Sequence, residues 1–230
     1  MTRAARRQGA RAGLAVAGFA LAAALLATLD FRRQRLVARY EQAVEAQALA
    51  LARGDPAPSG LDLLDKNLPP RAQLYRALLL ARRAANAADP ARRDALVDVA
   101  TDALARAQRA RPGWGEALVV KAFICSLEEG EPGGRTAVTL AESYRHVPFL
   151  RDGGAWRART GLTLWDRLPA APRARVVEEA VWLGRLAPEV RDGLFDAARA
   201  SGGYRAFAAR WIESRAGDAD VRTAANRAAP

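Results

Sequence analysis

The chain contains few side chains that are suited to catalysis. Among its 230 residues there is one cysteine, Cys125, and one histidine, His146. A catalytic thiol needs a neighbouring general base, and His146 is the single candidate, but no motif connects the two residues. We interpret Cys125, in an apolar helix-like stretch, as a small buried hydrophobic residue and His146 as a structural or solvated one. A single cysteine also excludes a disulfide framework within the chain and a cysteine-rich zinc site.

A second group with chemical possibilities is acidic. Glu128, Glu129 and Glu131 lie together at the start of a Gly-rich loop. Neighbouring carboxylates can act as general acid and base, but a solvated helix end explains the same residues more simply. The following segment GGRT, 133–136, lacks the Gly-Lys-Ser/Thr ending and the preceding strand of a phosphate-binding loop. Since no catalytic signature is present, we predict a protein that is not an enzyme and holds no cofactor and no metal.

The densest cluster of aromatic and basic residues is the stretch RDGGAWRARTGLTLWDRL, 151–168. Aromatic rings combined with guanidinium groups can bind sugars or phosphates. The residues that would form such a binding face are Trp156, Arg157, Arg159 and Trp165. The alternative, which we favour, is a core helix whose polar side carries the arginines. Glu178 and Glu179 in the next predicted helix offer partners for ion pairs.

The distribution of charge indicates a membrane segment. The formal net charge is +11, and residues 1–35 account for +6 of it, because they contain seven Arg and one Asp. Residues 12–29 are uncharged and mostly apolar, and they would span about 27 Å as a helix, close to the thickness of a bilayer core. We therefore predict a basic flank at 1–11 and a transmembrane anchor at 12–31. A cleaved signal peptide and a buried core helix are the alternatives, but the run is longer than a usual signal-peptide core.

The basic residues also suggest an orientation. Arginines occur in similar numbers on both sides of the run, and the N-terminal amino group tips the balance toward a cytoplasmic N-terminus. The rest of the chain would then lie in the periplasm of a bacterium, attached to the inner membrane. Gly13 and Ala17 have a spacing that lets two anchors pack, which could give a homo-oligomer. The remaining charge of +5 argues against a nucleic-acid partner.

Beyond the anchor, apolar residues recur at helical spacing and no region alternates as a strand does, so we predict an all-α fold. The first helix continues into a juxtamembrane helix and linker, 32–59, which Gly54 interrupts. A helical domain follows at 60–215. The final segment, 216–230, has no apolar face, and we expect it to be disordered. Helices of the domain are predicted at 70–88, 90–111, 115–129, 135–146, 153–167, 171–186, 189–200 and 203–215.

Helix pairs of about 34 residues are typical of tetratricopeptide (TPR) repeats, and part of that pattern is present. In the second helix of a repeat, small residues lie where the helices touch, and a proline ends the helix. The residues that fit this packing pattern are Ala100, Leu104, Ala107 and Pro112, followed by Leu118 and Ala122 in the next helix. We favour a TPR-like array of antiparallel helix pairs over an irregular Ala-rich helical bundle.

Three features together resemble a known family. They are the N-terminal anchor, the segment ARAQRARPGWGEAL and the segment AWRARTGLTLWDRLPAAPRARVVEEAVWL. The combination is similar to the small membrane-anchored, TPR-like proteins of bacterial exopolysaccharide and capsule gene clusters, the VpsP-like polysaccharide biosynthesis proteins. The resemblance covers most of residues 1–190. It implies an accessory role in surface-polysaccharide assembly and brings no catalytic residues to this chain.

We therefore expect a non-enzymatic inner-membrane scaffold that supports exopolysaccharide or capsule biosynthesis or export through protein–protein contacts. Its partners would be proteins of the polysaccharide machine, such as a polymerase or an exporter. The main alternative is a TPR-like scaffold of another envelope complex, in secretion, division or cytochrome assembly. An enzyme acting on a lipid-linked sugar through the Trp/Arg face and Glu128 or Glu131 is a third interpretation, and nucleic-acid binding is the fourth.

Overall fold

The computed structural model describes the backbone of residues 3–55, 63, 65 and 67–228, and the side chains within these ranges from residue 19 to residue 216. These residues form nine α-helices and one 3-10 helix, Trp165–Arg167, without a β-strand, so the predicted all-α fold is confirmed. The helices are α1 (Arg3–Arg53), α2 (Pro70–Ala85), α3 (Pro90–Ala110), α4 (Gly115–Glu128), α5 (Gly134–His146), α6 (Gly154–Thr163), α7 (Ala170–Leu186), α8 (Pro188–Arg199) and α9 (Tyr204–Ala228).

Helix α1 is continuous over 51 residues, which corresponds to about 75 Å. It ends before Gly54, as predicted, where a φ of 73° suits glycine. Val37, Tyr40 and Val44 pack into the core with α2, whereas every side chain from residue 19 to residue 35 is exposed. The large apolar side chains of this exposed stretch are Phe19, Leu21, Leu25, Leu26, Leu29 and Phe31. The C-terminal part of α1 thus belongs to the helical body, and the stretch before it stands clear of the other helices.

The membrane anchor predicted at 12–31 falls partly on residues whose side chains are outside the described set. Within the described residues, no helix combines the length and the apolar character needed to cross a membrane. The side chains of the basic flank, 1–11, and of the first part of the anchor, 12–18, lie outside that range.

The body begins with three successive helix pairs, α2 with α3, α4 with α5, and α6 with α7. Short connections join the members of each pair, so the two helices run antiparallel. Pro70 and Pro90 occupy the first turns of α2 and α3, where their missing N–H would have no partner anyway. The Asp89 side chain caps α3 by accepting hydrogen bonds from the N–H groups of Ala91 (3.2 Å) and Arg92 (3.3 Å). Both starts are those that the sequence predicts.

Most of the residues selected from the repeat pattern are buried. The buried ones are the small residues Ala100, Ala107 and Ala122 and the larger apolar residues Leu104 and Leu118. Pro112 is exposed and lies in the turn between α3 and α4, followed by Gly113 with a φ of 72°. Alanine at the contacts lets the backbones of α2 and α3 approach closely, because it adds only a methyl group between them.

The core consists of two clusters that meet at α4. Ala117, Val120 and Ile124 belong to the first cluster, which α1, α2 and α3 complete. Ala122 belongs to the second cluster, which contains residues of α5, α6, α7, α8 and α9. Residues three and four apart share one side of a helix, whereas Ala122 lies on the opposite side, so α4 is buried on two faces. Its apolar sequence allows it to fill this central position.

Two predicted elements differ from the structure. The helix predicted at 153–167 ends at Thr163, because Leu164 leaves helical geometry (φ −91°, ψ 17°) and a 3-10 turn follows. Helix α9 continues to Ala228, through most of the segment 216–230 for which the sequence predicts disorder, while residues 229–230 lie outside the described part. Ala and Arg are frequent in this segment and are strong helix formers, so a helical backbone there does not require an apolar face.

A substitution at Gly161 of α6 tests how closely α6 packs against α7, the third helix pair. A Cβ atom at this position would lie 2.6 Å from Cγ2 of Val176 on α7, which is too close for a real contact. We expect Gly161→Ala to lower the free energy of unfolding by about 1–3 kcal/mol, as overpacking of a core does. Urea unfolding followed by circular dichroism measures the change.

Gly193 of α8 is the matched control, since it is also helical and nothing lies within 4 Å of its Cβ position. Gly193→Ala should raise the free energy of unfolding by about 0.5–1 kcal/mol, because alanine has the higher helix propensity. Equal effects of the two substitutions would contradict the close approach of α6 and α7.

Candidate functional site

The binding face predicted for Trp156, Arg157, Arg159 and Trp165 does not form, because Arg157 lies inside the protein. Its side chain is 0% exposed and forms an ion pair with Glu179 of α7, which is also 0% exposed. Nε of Arg157 donates to Oε2 of Glu179 at 2.9 Å, and Nη2 contacts Oε1, so the pair is bidentate. The alternative interpretation, a core helix whose polar side carries the arginines, fits the exposed Arg159 but not Arg157, which lies in the interior.

The remaining polar atoms of the ion pair also have partners. The carboxylate accepts hydrogen bonds from the Tyr144 hydroxyl and from the backbone N–H of Leu150, each at 2.8 Å. The guanidinium donates to the carbonyl oxygens of Val147 (2.9 Å) and Pro148 (3.3 Å). A buried ion pair is stable only when its other hydrogen-bonding groups are satisfied. This pair therefore holds α5, α6, α7 and the loop after α5 in one arrangement.

Tyr144 completes the buried cluster. Its ring centroid lies 4.1 Å from the guanidinium carbon of Arg157, a cation–π contact. Burial raises the pKa of the Tyr144 phenol well above its ordinary value, and the negative charge of Glu179 acts in the same direction. The phenol therefore stays protonated and continues to donate to Glu179. Because solvent hardly reaches these side chains, the cluster stabilises the fold and is not a binding surface.

The other members of the predicted face have separate surroundings. Arg159 is exposed. Trp165 lies in the 3-10 helix, where the guanidinium of Arg173 is 5.6 Å from its ring centroid. Trp156 is half-buried and meets Phe123 of α4 edge-to-face, with the ring centroids 5.4 Å apart. Trp156 also lines a cleft, and this cleft is the candidate functional site.

The cleft has a volume of about 460 Å³ and lies between α1 and the first helices of the three pairs. Helix α1 forms one wall, and α2, α4 and the start of α6 form the other. Leu74, Val119 and Val120 are buried and form its floor, whereas charged side chains such as Glu45 and Arg151 are exposed at its rim. A mostly apolar concave surface with a few polar groups is the usual character of a binding site.

At one end of the cleft the charged groups are bound to partners within the protein. Tyr75 donates to Oε1 of Glu41 (3.0 Å) and accepts from Nε of Arg71 (3.1 Å), which joins α1 to α2. Glu116 of α4 accepts a hydrogen bond from Nε1 of Trp114 (2.8 Å). Partial burial raises the pKa of Tyr75, so its hydroxyl remains a donor to Glu41 at neutral pH. The hydrogen bond between Tyr75 and Glu41 holds the two walls together at this end.

Arg82 lies further along the same face of α2, about 16 Å from Arg71 along the helix axis. Its Nη1 atom donates to the backbone carbonyl of Val44 at 3.0 Å. Burial lowers the pKa of the Arg82 guanidinium, and no acidic neighbour offsets this effect. The two ends of the cleft therefore differ in how their charged groups are paired. The groups around Tyr75 have partners within the protein, whereas Arg82 has no carboxylate partner among the described residues.

Cys125 and His146 are too far apart to act together. The Cys125 thiol is buried near the C-terminal end of α4, where burial raises its pKa. The ring of His146 is exposed and lies 3.4 Å from the position of a Cβ atom on Gly113, before the N-terminal end of α4. Cys125 lies ten residues after Gly115, which corresponds to about 15 Å along the helix axis. A protonated thiol without a base nearby is not an activated nucleophile.

The acidic residues at the end of α4, Glu128 and Glu129, stabilise the loop that leads to α5. Glu129 accepts hydrogen bonds from the backbone N–H groups of Gly133 (2.9 Å) and Arg135 (2.8 Å) and from the Thr136 hydroxyl (2.6 Å). Partial burial acts to raise the pKa of Glu129, but the hydrogen bonds from Thr136 and the backbone outweigh it and lower the pKa to about 2. Glu128 forms an ion pair with Arg135 at 2.9 Å. Both carboxylates thus stabilise the connection between α4 and α5.

The cleft is not predictable from the sequence, because its walls come from distant segments, from Glu41 in α1 to Trp156 in α6. One signal is present in α2, where Arg71, Leu78 and Arg82 recur at the spacing of a single helix face and place charge at both ends of an apolar stripe. That spacing identifies a face, but the opposite wall depends on how α1 docks.

No group of three or more side chains that could hold a metal ion occurs among the described residues. No family model matches the chain, and no curated protein or solved structure matches it either. Indications of function therefore come from the geometry of α1 and of the cleft.

Removing one charge of the buried ion pair should leave the other unpaired inside the protein. We expect Glu179→Ala to lower the free energy of unfolding by about 3–5 kcal/mol in urea denaturation. Glu178 is the matched control, because it is the preceding residue and pairs with Arg210 at 2.8 Å, with both side chains 40% exposed. Glu178→Ala should cost no more than about 1 kcal/mol. Similar losses in both variants would contradict the enclosed pair.

Glu129 should make stability depend on pH. Its pKa is about 2 in the folded protein and near 4.5 without the loop contacts, so folding favours the charged form. The stabilisation is fully present above about pH 4.5 and is lost as the pH falls toward 2. We expect Glu129→Gln to lower the free energy of unfolding by about 1–2 kcal/mol at pH 7, and by progressively less below about pH 4.5.

Urea unfolding at a series of pH values measures the difference between Glu129→Gln and the natural protein. Glu131→Gln, at an exposed carboxylate of the same loop, controls for the loss of a charge. A deficit in Glu129→Gln that stays constant down to pH 3 would be inconsistent with the lowered pKa.

Proposed function

We propose that the protein is a non-enzymatic scaffold, anchored in the bacterial inner membrane by the first part of α1, that supports surface-polysaccharide assembly or export through protein–protein contacts. The observation that carries the proposal is the exposure of α1 between residues 19 and 35. Phe19 is 78% exposed and Leu26 is 66% exposed, although both are large apolar side chains. Extended apolar surfaces are rare on soluble monomers and mark contact with a membrane or another protein.

The charges around this stretch support the anchor. Arg32, Arg33 and Arg35 follow directly and are exposed. Basic residues at the ends of an apolar helix favour its placement across a membrane. Together with residues 12–18, the uncharged run reaches 18 residues, which is about the length that a bilayer core requires. The periplasmic placement of the body is part of the proposal.

The helix pairs support the scaffold. Stacked helix pairs present extended concave surfaces to partners, and a cleft of about 460 Å³ lies between α1 and the three pairs. A TPR-like arrangement of the pairs is part of the proposal, supported by the buried small residues of α3 and α4. The resemblance to VpsP-like proteins supports a polysaccharide machine as the partner, with a polymerase or an exporter as the protein contacted.

Charged substitutions in the exposed stretch should release the protein from the membrane. We expect Leu25→Arg/Leu26→Arg to move it from the membrane fraction to the soluble fraction, because each arginine costs about 2.5–3.5 kcal/mol at the centre of a spanning helix. Leu49→Arg/Leu51→Arg is the matched control on the same helix, since these leucines are also exposed but lie beside the body. Carbonate-resistant sedimentation of membranes measures the distribution.

A natural protein that is already soluble, or two double variants that behave alike, would contradict the anchor. The polysaccharide role is tested separately by deleting the gene and by purifying the anchored protein with its partners. We expect a reduced polymer yield and co-purification of polysaccharide-assembly membrane proteins. A normal yield would overturn this role, and co-purification of a secretion, division or cytochrome-assembly complex would replace it.

A further inference from the structure

The charged groups that border the cleft differ in whether a hydrogen-bond partner or water stabilises their charge. The carboxylates are hydrogen-bonded, as Glu41 is to Tyr75, or open to water, as Glu45 is. Arg82 is half-buried, and its bond to the carbonyl of Val44 does not neutralise its charge. A partly desolvated charge without a counter-ion is unfavourable. A carboxylate that enters the cleft would therefore bind Arg82 more favourably than it binds an arginine on the open surface.

Arg82 still has donors to offer. Its Nη1 atom is used by Val44, and none of its nitrogens is both buried and without a hydrogen-bond partner. The N–H groups that do not bond to the protein are consequently reached from solvent. A planar guanidinium with free N–H groups matches the two oxygens of a carboxylate.

The surface beside Arg82 is apolar and aromatic. Leu78 precedes Arg82 by one turn on the same face of α2, and Val119 is buried at the floor. Phe123 and Trp156 meet edge-to-face across α4 and α6. Covering apolar surface with apolar groups removes it from water, which is favourable. The apolar side chains of a protein segment therefore suit this part of the cleft.

We propose that the cleft binds a segment of a partner protein in which apolar side chains pack against Phe123 and Trp156 and an Asp or Glu carboxylate pairs with Arg82. The inference rests on the proposed function in one respect, that the partner is a protein. Arg71 and Arg82 are about 16 Å apart along α2, and a helical segment of about 12 residues, about 18 Å long, would span that distance.

Binding is tested with three synthetic peptides of about 12 residues, a length that spans the cleft. All three have Leu and Phe one helical turn apart, and they differ at a single position, which is Glu, Gln or Lys and is placed to meet Arg82. One position is varied because the lining of the cleft also contains the carboxylates of Glu41, Glu45, Glu116 and Asp152, which would repel further negative charge. The full chain is kept in detergent micelles, and fluorescence anisotropy of labelled peptides gives the Kd. We expect the Glu peptide to bind at least tenfold more tightly than the Gln peptide, and the Lys peptide to bind least.

Arg82→Gln should reduce the affinity for the Glu peptide to that for the Gln peptide. Arg92→Gln, at an exposed arginine of α3 away from the cleft, is the control and should leave all three affinities unchanged. If the Arg82→Gln variant does not fold, the Ala48→Trp variant tests instead whether the peptide binds in the cleft. This substitution narrows the cleft from the exposed side of α1 and should weaken the Glu peptide at least tenfold.

Equal binding of the three peptides, or no binding, would overturn the proposal. Arg82-dependent binding of an oligogalacturonate, with no binding of the Glu peptide, would overturn it in favour of an acidic sugar. The measurement is made in micelles, so its result does not depend on membrane insertion. If the protein fractionates as soluble but binds the Glu peptide, the membrane anchor is refuted and the binding role of the cleft is not. If the protein is anchored in the membrane but does not bind the peptide, the binding role of the cleft is refuted and the anchor is not.

Discussion

The ion pair between Arg157 and Glu179 is the constraint on which the second half of the protein depends. Two charges without exposed surface need a complete set of hydrogen bonds, and these come from four separate segments. The approach of α6 also requires small residues. Gly153 has a φ of 74°, and a Cβ atom on Gly154 would lie 3.2 Å from Cδ1 of Leu183 and 3.4 Å from Oε1 of Glu179. The turn before α6 thus places the backbone next to the carboxylate that the helix must reach.

The same ion pair determines the geometry of the cleft. Trp156 is the neighbour of Arg157 in α6, so the buried guanidinium positions the indole ring that lines the cleft. That ring packs against Phe123 of α4, the helix that both core clusters share. The cleft therefore takes its shape from the interior, and the α1 wall is held by the contacts of Tyr75 and Arg82. A site supported in this way is preorganised for a ligand.

The features that depend on neighbouring residues are predictable from the sequence. Gly54, Pro70 and Asp89 mark helix ends because capping and proline geometry act within a few residues. The burial of Arg157 is not predictable in this way, because it depends on a carboxylate 22 residues further along the chain. The sequence offers both Glu178 and Glu179 as partners for ion pairs, yet the Glu178 side chain is partly exposed and the Glu179 side chain is buried. Only the packing of α6 on α7 distinguishes them.

The cleft depends on how distant segments pack, and for that reason the sequence does not predict it. Its α1 wall is joined to α2 through a linker, so no local pattern states which face of α1 meets Tyr75. The unbroken course of α1 has a further consequence. Each residue of an α-helix advances the chain by about 1.5 Å and turns it by about 100°. Inserting one residue between Phe31 and Leu36 would therefore turn the N-terminal stretch of α1 by about 100° relative to the cleft. The contacts within the helical body would stay as they are, because they begin after the insertion.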